Sequence, residues 1–115
     1  MPAPLPGRPV RGSRTGRPIM ALLDLLGRRW ILRVIWELRE ESLGFRALQA
    51  RCEQMSPSVL SQRLRDLLDS GIVEQDGAAA YRLTARGRAL LAALQPLRRW
   101  AGDWAGAQRR IARKP

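Results

Sequence analysis

The chain contains no histidine, a single cysteine and a single lysine, and aromatic residues make up only 5% of it. Each scarcity closes a class of function. Zinc sites draw on several Cys and His ligands, and nucleophilic chemistry at a hydroxyl or thiol normally relies on an imidazole base. Neither requirement can be met here, so no metal and no cofactor is expected. The acids Glu40-Glu41 or Asp66 and Asp69 could be imagined as a catalytic pair, yet nothing supplies a base, a metal cage or a phosphate loop, and an enzyme is not expected. Cys52, without a second thiol, cannot form an intramolecular disulfide, which suits a reducing cytoplasm. No apolar run approaches the roughly 18 residues of a membrane span. The basic N-terminus lacks the apolar segment of a secretory signal. The expectation is a cytoplasmic protein with no membrane contact.

What is abundant is positive charge. Lys and Arg number 21 against 10 Asp and Glu, a formal +11, and every cation except Lys114 is arginine. Arginine forks onto phosphates and guanine edges, so the bias suits nucleic acid. A GC-rich coding sequence produces the same bias by default, and charge alone does not name the polyanion. The 115 residues make one domain, and 45% hydrophobic content supports one modest core.

Residues 1–18 hold five prolines, three glycines and arginines at 8, 11, 14 and 17. With almost no apolar content they are expected to form a disordered basic arm, suited to lie along phosphates or in a minor groove, or to remain a solvated tail. Residues 19–108 are expected to form the folded unit, with 109–115 a basic tail. Ile19, Leu22, Leu23, Leu25 and Leu26 pack a short helix that breaks near Gly27. Trp30, Ile31, Val34, Ile35 and Leu38 mark one stripe of the next helix, with Trp36 off it. Ser42–Gly44 is an extended connector, and Phe45 to Cys52 a two-turn helix with Phe45 and Leu48 inward and Cys52 in the core.

Residues 56–87 carry most of the information. Ser56-Pro57 starts a helix, serine capping and proline occupying the first helical position. Leu60, Leu64, Leu67 and Leu68 share one side of a helical wheel; Ser58, Gln62 and Arg65 share the other, and Asp66 and Asp69 are placed late on that outer side. Gly71 is a left-handed stop. Asp76-Gly77 is the dipeptide of a tight hairpin turn between Ile72–Gln75 and Ala79–Leu83, leaving Arg82 outside. Thr84 caps a helix, and Pro96 kinks or restarts it. The fold class that follows is mainly α with a small β-hairpin: a winged helix-turn-helix with extra N- and C-terminal helices. In such folds the second helix of the pair enters the major groove and the hairpin touches flanking backbone.

The DNA face is therefore expected at Ser56, Ser58, Ser61, Gln62 and Arg65, where Gln pairs adenine and Arg guanine. Arg46, Arg51 and Arg82 are expected to contact phosphates, whereas Arg63 projects sideways and could pair with Glu37 or Glu74. The apolar load on Leu22, Leu26, Leu94, Leu97, Trp100 and Trp104 exceeds what one small winged domain buries, which points to a homodimer.

In order and spacing, these residues resemble the HxlR-type winged helix-turn-helix regulators of bacteria. The matching elements run from Leu26-Gly27-Arg28-Arg29-Trp30 through Gly44-Phe45 and Leu48 to Ser56 and Leu60-Ser61-Gln62-Arg63-Leu64 with Leu67. They continue in Gly71-Ile72-Val73-Glu74 and Tyr81-Arg82-Leu83-Thr84 to Gly87 and Trp100. The MarR and PadR winged helices are near alternatives. The resemblance implies a homodimer on a pseudo-palindromic operator, joined through the terminal helices. The mechanism expected is operator occlusion, hence a repressor, with recruitment of RNA polymerase the alternative. An aromatic or hydrophobic effector is expected near Trp30, Trp36, Trp100 and Trp104. The competing reading is a winged-helix protein-interaction module without specific DNA binding. Two departures stand out. Many family members carry a cysteine just before the first helix, where this chain has Gly16-Arg17-Pro18, and the wing tip Asp76–Ala80 is short and nearly uncharged.

Overall fold

A computed structural model describes residues 2–10, 14 and 16–113. Six helices and one hairpin follow in the order α1 (Pro18–Leu26), α2 (Ile31–Glu37), α3 (Phe45–Arg51), α4 (Pro57–Asp69), β1 (Val73–Gln75), β2 (Tyr81–Leu83), α5 (Ala85–Ala93) and α6 (Gln95–Arg113). The two strands pair antiparallel in the register Val73 with Leu83, Glu74 with Arg82 and Gln75 with Tyr81. Leu43, in the connector before α3, adds an isolated bridge to β2 by exchanging backbone hydrogen bonds with Tyr81. The fold class is the expected one.

The core is one cluster. The α2 stripe (Ile31, Val34, Ile35 and Leu38) meets Leu48 of α3, Leu60, Leu64 and Leu67 of α4, and Val73 and Leu83 of the hairpin. Fully burying each such side chain stabilises the fold by about 1.5–3 kcal/mol. Cys52 is among them, fully buried.

The stop of α4 fixes where the wing begins. Gly71 takes φ +76, the amide of Ile72 donates to the Leu67 carbonyl, and that of Gly71 donates to Leu68. This double bond pattern closes the helix and needs a left-handed residue. Thr84 then ties three elements together: its hydroxyl donates to the Gly71 carbonyl at 2.6 Å and accepts from the Gly87 amide at 3.0 Å. At Gly87 any Cβ would run into the Ile72 carbonyl oxygen, so the approach of α5 to the hairpin requires glycine.

Several expectations are corrected. The hairpin does not turn on Asp76-Gly77. Five residues separate the last strand pair, and the loop is organised by the Asp76 carboxylate, which accepts from the amides of Ala78 at 2.9 Å and Ala80 at 3.0 Å. Ala79, not Gly77, is left-handed, with φ +63. Ser56 stands at the α4 N-cap but caps nothing through its side chain; its hydroxyl pairs with that of Ser58 at 3.0 Å. Pro96 restarts the helix, separating α5 from α6. α6 runs on through Arg113, so residues 109–113 are helical rather than a tail.

Residues 1, 11–13, 15, 114 and 115, which belong to the expected arm and tail, lie outside the described residues. The described part of the arm is not free: Ala3 and Pro4 are buried, the Gly7 amide donates to the Gly16 carbonyl at 2.9 Å, and Arg28 donates to the Pro2 carbonyl at 2.7 Å. Pro4 and Leu5 line an apolar groove with Ala21, Leu22 and Leu25 of α1 and with Ile72 and Leu90, a surface that the folded unit provides.

Candidate nucleic-acid interface

The pair α3–α4 is joined by a tight turn in which Glu53 and Gln54 both take left-handed φ, +58 and +56. Gln49 holds the turn at both ends. Its carbonyl accepts from the Gln54 amide at 2.9 Å, and its side-chain amide donates to the Met55 carbonyl at 2.9 Å. With Leu60, Leu64 and Leu67 seated in the core, the helix turns its opposite side outward. Ser56, Ser58, Val59, Ser61 and Arg65 are exposed there, and Gln62 is half-buried. Arg46 is exposed on α3 and lines, with Phe45, Gln49, Gln54 and Pro57, a shallow groove between the two helices.

The outer cations divide into two groups. Arg46 and Arg65 have no ion-pair partner among the described residues. Arg51 and Arg82 are engaged, Arg51 with Glu41 at 2.7 Å and Arg82 with Glu74 across the hairpin at 2.7 Å. Such exposed pairs contribute about 0–1 kcal/mol and open readily.

Asp66 departs from expectation. Instead of facing outward it is 1% exposed, and it pairs with Arg28 at 3.1 Å and Arg63 at 3.6 Å. Arg63 therefore pairs with neither Glu37 nor Glu74. On the wheel position 66 lies on the outer side, between Gln62 and Val59, so periodicity alone does not bury it; the α1–α2 turn covers it through Arg28. The decisive partner, Arg28, is far away in sequence, and that separation hid the contact. The consequence for the interface is direct: residues 56–65 carry no acid, and the next acid along the helix points inward. Val59, 36% exposed among the polar residues, was also missed, although its neighbours on the wheel marked it as outward.

A second surface lies on the terminal helices. α6 buries none of its residues. Leu97, Trp100, Trp104 and Ile111 are 54–62% exposed, and with Ala107 they repeat at alternating steps of three and four. Ile19 and Leu23 of α1 and Leu32 of α2 are exposed as well. Leu22, Leu26 and Leu94 are half-buried. An apolar groove of about 230 Å³ between α2 and α5–α6 is lined by Leu32, Ile35, Trp36, Leu91, Leu94, Leu97, Arg98 and Ala101. Trp36 is clasped by the guanidiniums of Arg39 and Arg98, 3.9 and 4.4 Å from its ring. Trp30 packs against the core and Trp100 stacks on Trp104, so within one chain Trp36 alone of the four expected tryptophans lines this groove.

The family model of HxlR-like helix-turn-helix proteins matches residues 25–109. The chain belongs to this family. It is a transcriptional regulator, as are its relatives. It is 32% identical over 88 residues to the HTH-type transcriptional regulator YvaP of Bacillus subtilis, covering 71% of this chain and 82% of YvaP. The crystal structure of quinone-bound YodB from B. subtilis superposes with a TM-score of 0.69 at 30% identity, covering 74% of this chain and 94% of that one. A regulator assigned to the MarR family from Enterococcus faecalis superposes with a TM-score of 0.71 at 26% identity, over 80% and 89% of the two chains.

In this HxlR-type regulator the single thiol belongs to the core. Burial pushes the Cys52 thiol above its ordinary range, the nearby Arg33 guanidinium pulling the other way. Arg33 itself is held protonated chiefly by its hydrogen bond to Glu37, at 2.8 Å. A buried thiol biased toward its neutral form is a poor nucleophile. Among the described residues no helix is long and apolar enough to cross a membrane, and no group of His, Cys, Asp and Glu could hold a metal ion.

Proposed function

We propose that this HxlR-type regulator is a cytoplasmic homodimer that reads a pseudo-palindromic operator and represses by occluding it. The observation that carries the reading is the acid-free stretch 56–65 on the outer side of α4, exposed beside Arg46, with the exposed Asp69 a turn further on and Leu60, Leu64 and Leu67 anchored in the core. Two such helices about 34–36 Å apart enter successive major grooves. Arg65 is assigned to a guanine edge, Gln62 to adenine, and Val59 to a thymine methyl. Ser56, Ser58, Ser61 and Arg46 hold phosphates and set register. Arg51 and Arg82 join once their acidic partners release them. The dimer forms through Leu97, Trp100, Trp104 and Ile111 of α6 together with α1, whose exposed Ile19 and Leu23 are apolar surface of the kind that meets a partner.

The test is to recover fragmented genomic DNA on the native protein and on a Gln62→Ala/Arg65→Ala double variant. Enrichment of an inverted repeat by the native protein alone supports operator reading. Equal, unenriched recovery by both supports the second reading, a protein-interaction module. That reading is favoured by the short wing and by the acids already paired with Arg51 and Arg82. An effector of small aromatic or hydrophobic character is assigned to the groove beside Trp36, in keeping with the quinone carried by the YodB relative. A saturable change of tryptophan emission on titration with benzoquinone or a related aromatic supports that assignment, and a flat titration removes it.

A further inference from the structure

Behind Gln62, α4 carries a buried charged cluster whose members Asp66, Arg63 and Arg28 the operator contacts do not use. Asp66 Oδ1 accepts from the Gln62 side-chain nitrogen at 3.3 Å and faces Arg28 Nη1 at 3.1 Å, while Arg63 Nε stands 3.6 Å from Oδ2. An ionised carboxylate only accepts hydrogen bonds, so the nitrogen end of the Gln62 amide, never the oxygen, turns toward it. One N–H of that nitrogen and the whole carbonyl oxygen stay free. Gln62 is half-buried, so part of its side chain stays open to solvent.

Resting on the operator reading above, we propose that Asp66 is a positioning residue for base recognition. It locks the Gln62 amide so that a fixed donor–acceptor pair is offered to the major groove. Adenine presents the complement, an N7 acceptor beside an N6 donor. An unrestrained glutamine amide rotates and offers either end, so it discriminates less and loses more freedom on binding. Arg28 makes the lock rigid. Its guanidinium also donates to the Pro2 carbonyl at 2.7 Å, so the carboxylate is fastened to the α1–α2 turn and the N-terminal segment rather than to α4 alone. Trp30, two residues on, holds a left-handed φ of +77 that fixes this turn at the head of α2. A cluster serving only to glue α4 to that turn would need the arginines but not the glutamine.

The experiment measures the affinities of native, Gln62→Ala and Asp66→Asn proteins for an operator and its single-base-pair variants. Gln62→Ala identifies the pair that position 62 reads. Asp66→Asn replaces an acceptor by a group that also donates, so the Gln62 oxygen can turn inward. The expected result is a loss of about tenfold in preference at that pair. Preferences at distant pairs should stay within about twofold. An Asp66→Asn protein that keeps its full preference there, or weakens equally at every pair, overturns the proposal. So does a Gln62→Ala protein with an unchanged preference profile, which leaves operator binding itself standing. A native protein with no preference at any pair overturns both readings.

Should Asp66→Asn fold poorly, the native protein supplies a second readout. The Gln62 side-chain amide protons, identified by their loss in Gln62→Ala, are expected to exchange with solvent more slowly than those of exposed Gln108. Equal exchange overturns the lock.

Discussion

α4 and α6 are both amphipathic, and they end in opposite circumstances. α4 seats Leu60, Leu64 and Leu67 at 2% exposure or less, while α6, with 19 residues against 13, buries nothing. The apolar stripe of α4 is satisfied within the chain, and this frees its other side for a ligand. The stripe of α6 is left over, and under the proposed function a second copy completes it. One helix is therefore specified by folding and the other by assembly, and perturbing the two should have separable effects.

The sharpest way to break that contrast is Leu64→Ala. A cavity under α4 should cost about 2–5 kcal/mol, read as a drop in the denaturation midpoint of similar size at every protein concentration. Trp104→Glu should act on the other side. An anchor aromatic replaced by a charge should weaken association by about 2 kcal/mol or more. Sedimentation should then show a half-mass species whose helical circular dichroism is retained; a loss of fold together with assembly would mean that α6 is not a separate module.

Smaller effects sharpen the same picture inside the winged unit. Thr84→Ala should cost about 1 kcal/mol, because its hydroxyl caps α5, whereas Ser56→Ala should cost far less, its hydroxyl capping nothing. The Cys52 thiol is raised on folding, so the unfolded chain sheds its proton first as the solution turns alkaline. Stability is therefore full below the unfolded thiol's range and declines as the pH climbs through the folded one. That decline should be smaller in Cys52→Ala. Arg82→Ala, which opens one exposed pair, should change stability by only a few tenths of a kcal/mol.

The helices, the hairpin, the left-handed stop at Gly71 and the Thr84 cap were legible because each rests on local rules of periodicity or backbone chemistry. The outer side of α4 was legible for the same reason, since Leu60, Leu64 and Leu67 fix its rotation. What escaped was non-local. Asp66 turned inward because Arg28, brought near by the α1–α2 turn, waits there. The wing tip escaped because an Asp76 carboxylate standing in for backbone acceptors outweighed the Asp-Gly signal. The N-terminal segment escaped because its few apolar residues cannot fold alone, yet they line a groove that α1, Ile72 and Leu90 complete.

The stacked pair Trp100–Trp104, with ring centroids 5.6 Å apart and planes inclined by 27°, sits on the seam assigned to assembly. Two indoles this close share their electronic transitions, and the sign and size of the resulting near-ultraviolet couplet depend on their mutual tilt. Any event that repacks the seam therefore writes itself into the optical activity of the unlabelled protein, giving the regulator a built-in gauge of its own association.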